Sequence, residues 1–162
     1  ITIITNGFSK GFRMYTKRVG FAILPPELQG NLRVMQQHTL LCTDPCYQYG
    51  MIAVLADEES PKELAEIYRG RAEYTTLQLR NTGCEPIAAE GGFYAVLRCA
   101  DWNQSHGFTS SKELAHDILR KTHVAVVPGT DFGIPQDLRL AFCNDRYDEG
   151  IDRLRKYFCS EL

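Results

Sequence analysis

No stretch of this 162-residue chain approaches the roughly 20 consecutive apolar residues of a membrane-spanning helix. A bilayer is therefore not an expected partner. A basic tract is also missing: 18 Lys and Arg are balanced by 20 Asp and Glu, for a net charge of −2, which argues against nucleic acid. Repeats and low-complexity segments do not occur. Position 1 is Ile rather than Met, and Ile1–Thr5 has neither the length nor the basic flank of a secretory signal. Ile1 is expected not to be the native start. The six cysteines lack the paired spacing of a zinc ribbon or finger. Cys42 and Cys46 bracket Asp44-Pro45 as a half-site with no second half, so no metal is expected. Others lie in apolar runs such as Leu140-Ala141-Phe142-Cys143, which predicts buried free thiols in a reducing cytoplasm.

What is present reads as a globular chain, 44% hydrophobic and 23% charged. Ile1–Thr5 and Val19–Leu24 are strand-like. Pro25-Pro26 opens a helix with Leu28, Leu32, Met35 and Thr39 on one stripe. Cys46–Ala56 is apolar nearly all round, which predicts a buried helix. Ser60-Pro61-Lys62-Glu63 reads as a capping box before a long helix that presents Leu64, Ile67, Tyr68, Arg71 and Tyr74 and ends near Gly83. Strands are expected over 91–99, 123–127 and 138–143. A second capping box at Ser110–Glu113 opens a helix with Leu114 and Ile118, and 145–158 is a terminal amphipathic helix with Ile151, Leu154 and Phe158 inward. Residues 1–57 read as the end of an α/β layer. Residues 58–162 read as a compact α+β unit of mixed strands under two or three helices.

Two groups of residues carry chemistry. Ser9-Lys10 follows the first strand, and Arg18 comes eight residues after Lys10, just before the second strand. An amine at a strand end beside a fixed guanidinium suits imine formation next to an anion, although a solvated lysine is the commoner case. Near the other end, Arg139 sits inside the apolar run Leu138–Phe142. A charge there requires a partner. The partner is either an internal Asp or Glu, or a ligand carboxylate held by two parallel hydrogen bonds.

Three motifs in order, Ser-Lys-x7-Arg-x-Gly, Gly-Phe-Tyr and Pro-Gly-x-x-Phe-Gly…Leu-Arg-Leu-Ala, resemble the C-terminal half of a class I/II aminotransferase across essentially the whole chain. The resemblance implies an α/β fold of the fold type I, PLP-dependent transferase kind, present in part: the last strands and helices of the large domain (1–57) and the small α+β domain (58–162). It implies pyridoxal 5'-phosphate as cofactor, with Lys10 as the catalytic lysine that holds it covalently. Burial is expected to lower the pKa of that amine. Ser9 would help bind the cofactor and Arg18 would bind its phosphate, Thr43 in Thr43-Asp44-Pro45 would approach the cofactor of the second subunit of a homodimer, and Arg139 would grip the substrate α-carboxylate. Amino acids and 2-oxo acids are the implied substrates. Gly7 stands where many members have a phosphate-binding Ser, and Tyr15-Thr16-Lys17 where many have Thr-Gly-Trp, so subfamily and substrate side chain stay open. The family's phosphate loop, stacking aromatic and pyridine-nitrogen acid precede the lysine and cannot fit into Ile1–Ser9. These 162 residues alone are expected not to turn over. A PLP lyase or synthase of the same fold, or a non-catalytic binding domain, are the alternatives; the yellow colour of PLP bound to a lysine would separate the last from the others.

Overall fold

A computed structural model describes residues 1–159. The chain forms two compact units, Ile1–Ala65 and Glu66–Leu162, the last three residues of the second lying outside the described residues.

In the first unit, β1 (Ile4–Gly7) pairs antiparallel with β2 (Gly20–Ile23), Gly7 opposite Gly20. At Gly20 a Cβ would lie 2.9 Å from the Asn6 carbonyl oxygen, so only glycine lets the strands close there. Between the strands runs a one-turn helix, α1 (Phe8–Gly11). Then come α2 (Pro26–Leu40) and α3 (Pro45–Ala56), the latter capped by Asp44, whose Oδ1 accepts from the Cys46 N–H at 2.8 Å. The core is small: Phe8, Val19 and Met51. On α2, Leu28 and Leu32 are half-buried and Met35 is exposed. Here the structure corrects one expectation: α3 is not a buried helix, Tyr49, Ile52 and Leu55 being 75, 64 and 61% exposed. An all-round apolar helix needs cover on every side, and this unit covers only the face carrying Met51.

The division between the units falls within α4 (Glu59–Leu79). Its start is set by Asp57 rather than Ser60, with Asp57 Oδ1 accepting from the N–H groups of Glu59 (3.1 Å) and Ser60 (3.0 Å). The hydrogen bonds from Ser60 hold this carboxyl below the usual carboxylate range.

The second unit has a four-stranded sheet in the order β3 (Glu85–Ile87), β4 (Tyr94–Arg98), β6 (Leu138–Ala141), β5 (Val127–Pro128), antiparallel at every neighbour rather than mixed. Helices α5 (Ala100–His106), α6 (Ser111–Thr122) and α7 (Tyr147–Phe158) complete it. Alternation along the strands decides the core. Ala95 and Leu97 of β4 and Leu138 and Leu140 of β6 are buried together with Leu114 and Ile118 of α6 and Ile151 and Leu154 of α7. The expected strand at 123–127 shrinks to the pair Val127–Pro128, because His123, at φ 58°, is the left-handed residue that ends α6. The same alternation corrects the thiols. Leu140 and Phe142 turn inward, so Cys143 turns out; Cys84 and Cys99 are buried, while Cys42, Cys46, Cys143 and Cys159 are exposed.

Candidate active site

The β1–β2 pairing explains why Lys10 and Arg18 belong together. Gly7 opposite Gly20 is the last rung; Lys10 lies three residues beyond it on one side and Arg18 two residues before it on the other. The Phe8 N–H donates to the Val19 carbonyl at 3.1 Å and closes the loop at its base. Ser9, Lys10 and Arg18 are thus delivered to one end of one hairpin. Lys10 is exposed, its Nζ 5.4 Å from the centre of the Tyr15 ring. The expected burial of its amine is not found, since α1 is a single turn with only Phe8 facing inward. Arg18 is exposed, with a left-handed backbone at φ 53°, and donates to the Tyr15 carbonyl at 3.4 Å. Such a backbone costs a non-glycine residue on the order of 1–3 kcal/mol. Lys10, Arg13, Lys17 and Arg18 place four cations in this hairpin, and no acidic residue occurs before Glu27. The amine, hydroxyl and guanidinium groups fit an aldehyde and a phosphate.

Thr43 lines a recess of about 340 Å³ with Val19, Gly20, Arg33 and Gln48 among its walls. It therefore lies near the strand that follows Arg18. Its carbonyl accepts from Gln48 Nε2 at 2.8 Å.

Arg139 belongs to the second unit. Its neighbours Leu138 and Leu140 face the core, so its side chain takes the other face of the sheet and is half-buried rather than interior. Its Cζ lies 4.2 Å from the ring centre of Tyr94 and 4.2 Å from that of Phe132. Nε is buried without a hydrogen-bond partner. No ion pair among the described residues includes Arg139, so the internal Asp or Glu partner is ruled out there. A guanidinium packed against two rings, with its Nε unpartnered, keeps hydrogen-bond donors for a carboxylate.

The sequence profile described as Aminotransferase class I and II matches residues 1–157. The chain belongs to this family. It is 29% identical over 160 residues to an aspartate aminotransferase of Bacillus subtilis, covering 96% of this chain and 41% of that protein. It is 32% identical over 162 residues to an aspartate aminotransferase of Pyrococcus abyssi, covering 96% and 40%. Its structure matches that of an aromatic aminotransferase from Pyrococcus horikoshii with a TM-score of 0.85 at 26% identity, over 99% of this chain and 43% of the other. The fold is thus the fold type I aminotransferase fold in part, and the chain spans about two fifths of the length of these relatives.

Within this aminotransferase chain, the aromatic partners of Arg139 escaped the sequence reading as site residues. Both stood in the quoted motifs, Tyr94 in Gly-Phe-Tyr and Phe132 in Pro-Gly-x-x-Phe-Gly. The glycine of the second motif has its own reason: a Cβ on Gly129 would run into the carbonyl oxygens of Ile134 and Asp137. The tight turn this permits carries Phe132 to Arg139.

Proposed function

We propose that the complete protein transfers an amino group from an amino acid to a 2-oxo acid with pyridoxal 5'-phosphate. The single observation that carries this reading is the Arg139 guanidinium, packed against Tyr94 and Phe132 and, among the described residues, without an ion-pair partner. The cofactor, when bound, supplies an aldehyde to carry the amino group and an electron-poor ring. Lys10 would hold it and move the proton at the substrate α-carbon. Ser9 and Arg18 would take its phosphate, and Arg139 the α-carboxylate of either substrate. In a homodimer Thr43 would approach the phosphate of the partner subunit's cofactor, and the exposed apolar residues of α3 fit such an interface. Residues 1–57 belong on this reading to the larger cofactor-binding domain and 58–162 to the smaller one. Among the described residues no helix is long and apolar enough to cross a membrane; six free thiols fit the cytoplasm.

The test is reduction of the complete PLP-loaded protein with borohydride, followed by peptide mapping. The cofactor is expected on Lys10, and Lys10→Ala is expected to abolish the amino-acid half-reaction. A label on another lysine sinks the assignment. Arg139→Lys is expected to raise KM for amino and oxo acids together. Loss of a charge-assisted bond worth about 1.5–3 kcal/mol corresponds to roughly 10–150-fold. An unchanged KM removes Arg139 from the site.

A further inference from the structure

Cys84 and Cys99 take no part in the site above. They flank the β3–β4 ladder, whose last rung is Glu85 opposite Arg98. Carried one step outward along both strands, the same register would set Cys84, in the bend before β3, opposite Cys99, the residue that caps α5. Residues directly opposite in an antiparallel pair have Cα atoms about 4.5–5.5 Å apart, inside the span of about 4.4–6.8 Å that a disulfide bridges. Both side chains take the core face: Cys99 follows buried Leu97 by two residues and is fully buried, and Cys84 is 4% exposed. Both belong to the same buried cluster, and the Cys99 thiol donates to the Leu97 carbonyl at 3.3 Å. The other four cysteines are exposed.

We propose that Cys84 and Cys99 form a dithiol oxidation site that closes to a disulfide within the second unit when the protein meets a hydroperoxide. Cys84, the less buried of the two residues, gives up its proton to water as its sulfur attacks the peroxide oxygen. The O–O bond breaks, an alcohol (or water, from hydrogen peroxide) leaves, and a sulfenic acid forms. The Cys99 sulfur then attacks the Cys84 sulfur; the S–S bond forms, the S–O bond breaks, and water leaves with the Cys99 proton. Two thiols are oxidised by two electrons and one peroxide is reduced. Cys99 is fully buried and Cys84 slightly less so, so Cys84 meets the peroxide first and Cys99 resolves; the hydrogen bond with Cys84 and burial push the Cys99 thiol up, in keeping with this order. Burial makes the first step slow, and it keeps a second peroxide from the sulfenic acid. The product is a staple between the edge strand β3 and its neighbour.

The experiment uses the full chain with Cys42, Cys46, Cys143 and Cys159 each changed to Ser, all four being exposed. The folded variant is treated with hydrogen peroxide and then unfolded, and its thiols are counted. Loss of both thiols is expected, with an intact monomer mass lower by two hydrogens, one peptide pair joining the two cysteines, and full recovery under dithiothreitol. The oxidised form is also expected to melt at a higher temperature than the reduced form. Two thiols still free after unfolding, added oxygen on either sulfur, or a crosslinked dimer would overturn the proposal. Peptide mapping of the oxidised unsubstituted chain keeps the test decisive if the variant does not fold: absence of the Cys84–Cys99 peptide pair overturns it as well.

Discussion

Arg139 shows what a single residue's surroundings decide. Two rings at 4.2 Å hold its guanidinium plane, each contact worth about 0.5–2 kcal/mol. Phe132→Ala in the complete enzyme is therefore expected to raise KM several-fold with a smaller change in kcat, because binding rather than chemistry loses its geometry; steady-state kinetics with both substrates checks this. Two tyrosines make a second residue-scale prediction. Tyr74 donates to Asp152 Oδ1 at 2.6 Å, and this bond pushes its phenol up to about 12. Burial raises Tyr147 to about 12 as well, against the opposing hydrogen bond with Thr75. A folded-state pKa above the unfolded value means stability is fully present below about pH 10 and is lost as pH rises toward 12. Phenolate absorbance should show these two lagging behind exposed tyrosines, with unfolding in that window. Simultaneous ionisation of all tyrosines near pH 10 would contradict both assignments. At this scale the sequence singles out Lys10, Arg18 and Arg139 through motifs that resemble a family's, but not the rings around Arg139, because their approach depends on strand register and on the turn at Gly129.

Elements were legible where their signals were long. Helix α6 begins at Ser110, whose Oγ accepts from the Glu113 N–H, while the Glu113 carboxylate accepts from Thr109. Ser110→Ala should cost about 0.5–2 kcal/mol in a denaturant titration. Leu154→Ala in α7, fully buried against the sheet, should cost about 2–5 kcal/mol. Equal, negligible effects for both would mean that these helices do not limit stability. The short elements escaped notice: β3 and α5 have three and seven residues, too few for a period to register. The run 123–127 has the composition of a strand, yet the helix before it ends in a left-handed residue that directs the chain away from pairing until Val127. Ser60 against Asp57 is a contest between two good caps, and nothing local decides it.

For the molecule as a whole, burial is uneven. Among the described residues, seventeen buried ones form the cluster of the second unit and three that of the first. Amide exchange should accordingly be slowest in β4, β6, α6 and α7 and faster throughout Ile4–Ile23 and α2. Uniform protection along the chain would mean that the first unit is stabilised by more than its own core. A change of pattern in the sequence divides the chain at 57/58, whereas its compact units divide at 65/66, inside α4. The exposure of α3 was not, because hydrophobicity reports what a surface needs and not whether these residues supply it.

The hairpin that carries Lys10 and Arg18 has a kinetic side. A chain of net charge −2 keeps four positive charges and no negative one before Glu27, so the remainder is net −6. Anions are repelled by most of this molecule and drawn to one short stretch of it. Their arrival there is a guided search, and guidance of this kind fades once added salt shortens its reach to about 10 Å near 0.1 M. A phosphorylated ligand should reach the hairpin faster in dilute buffer than in concentrated salt, while its departure changes far less.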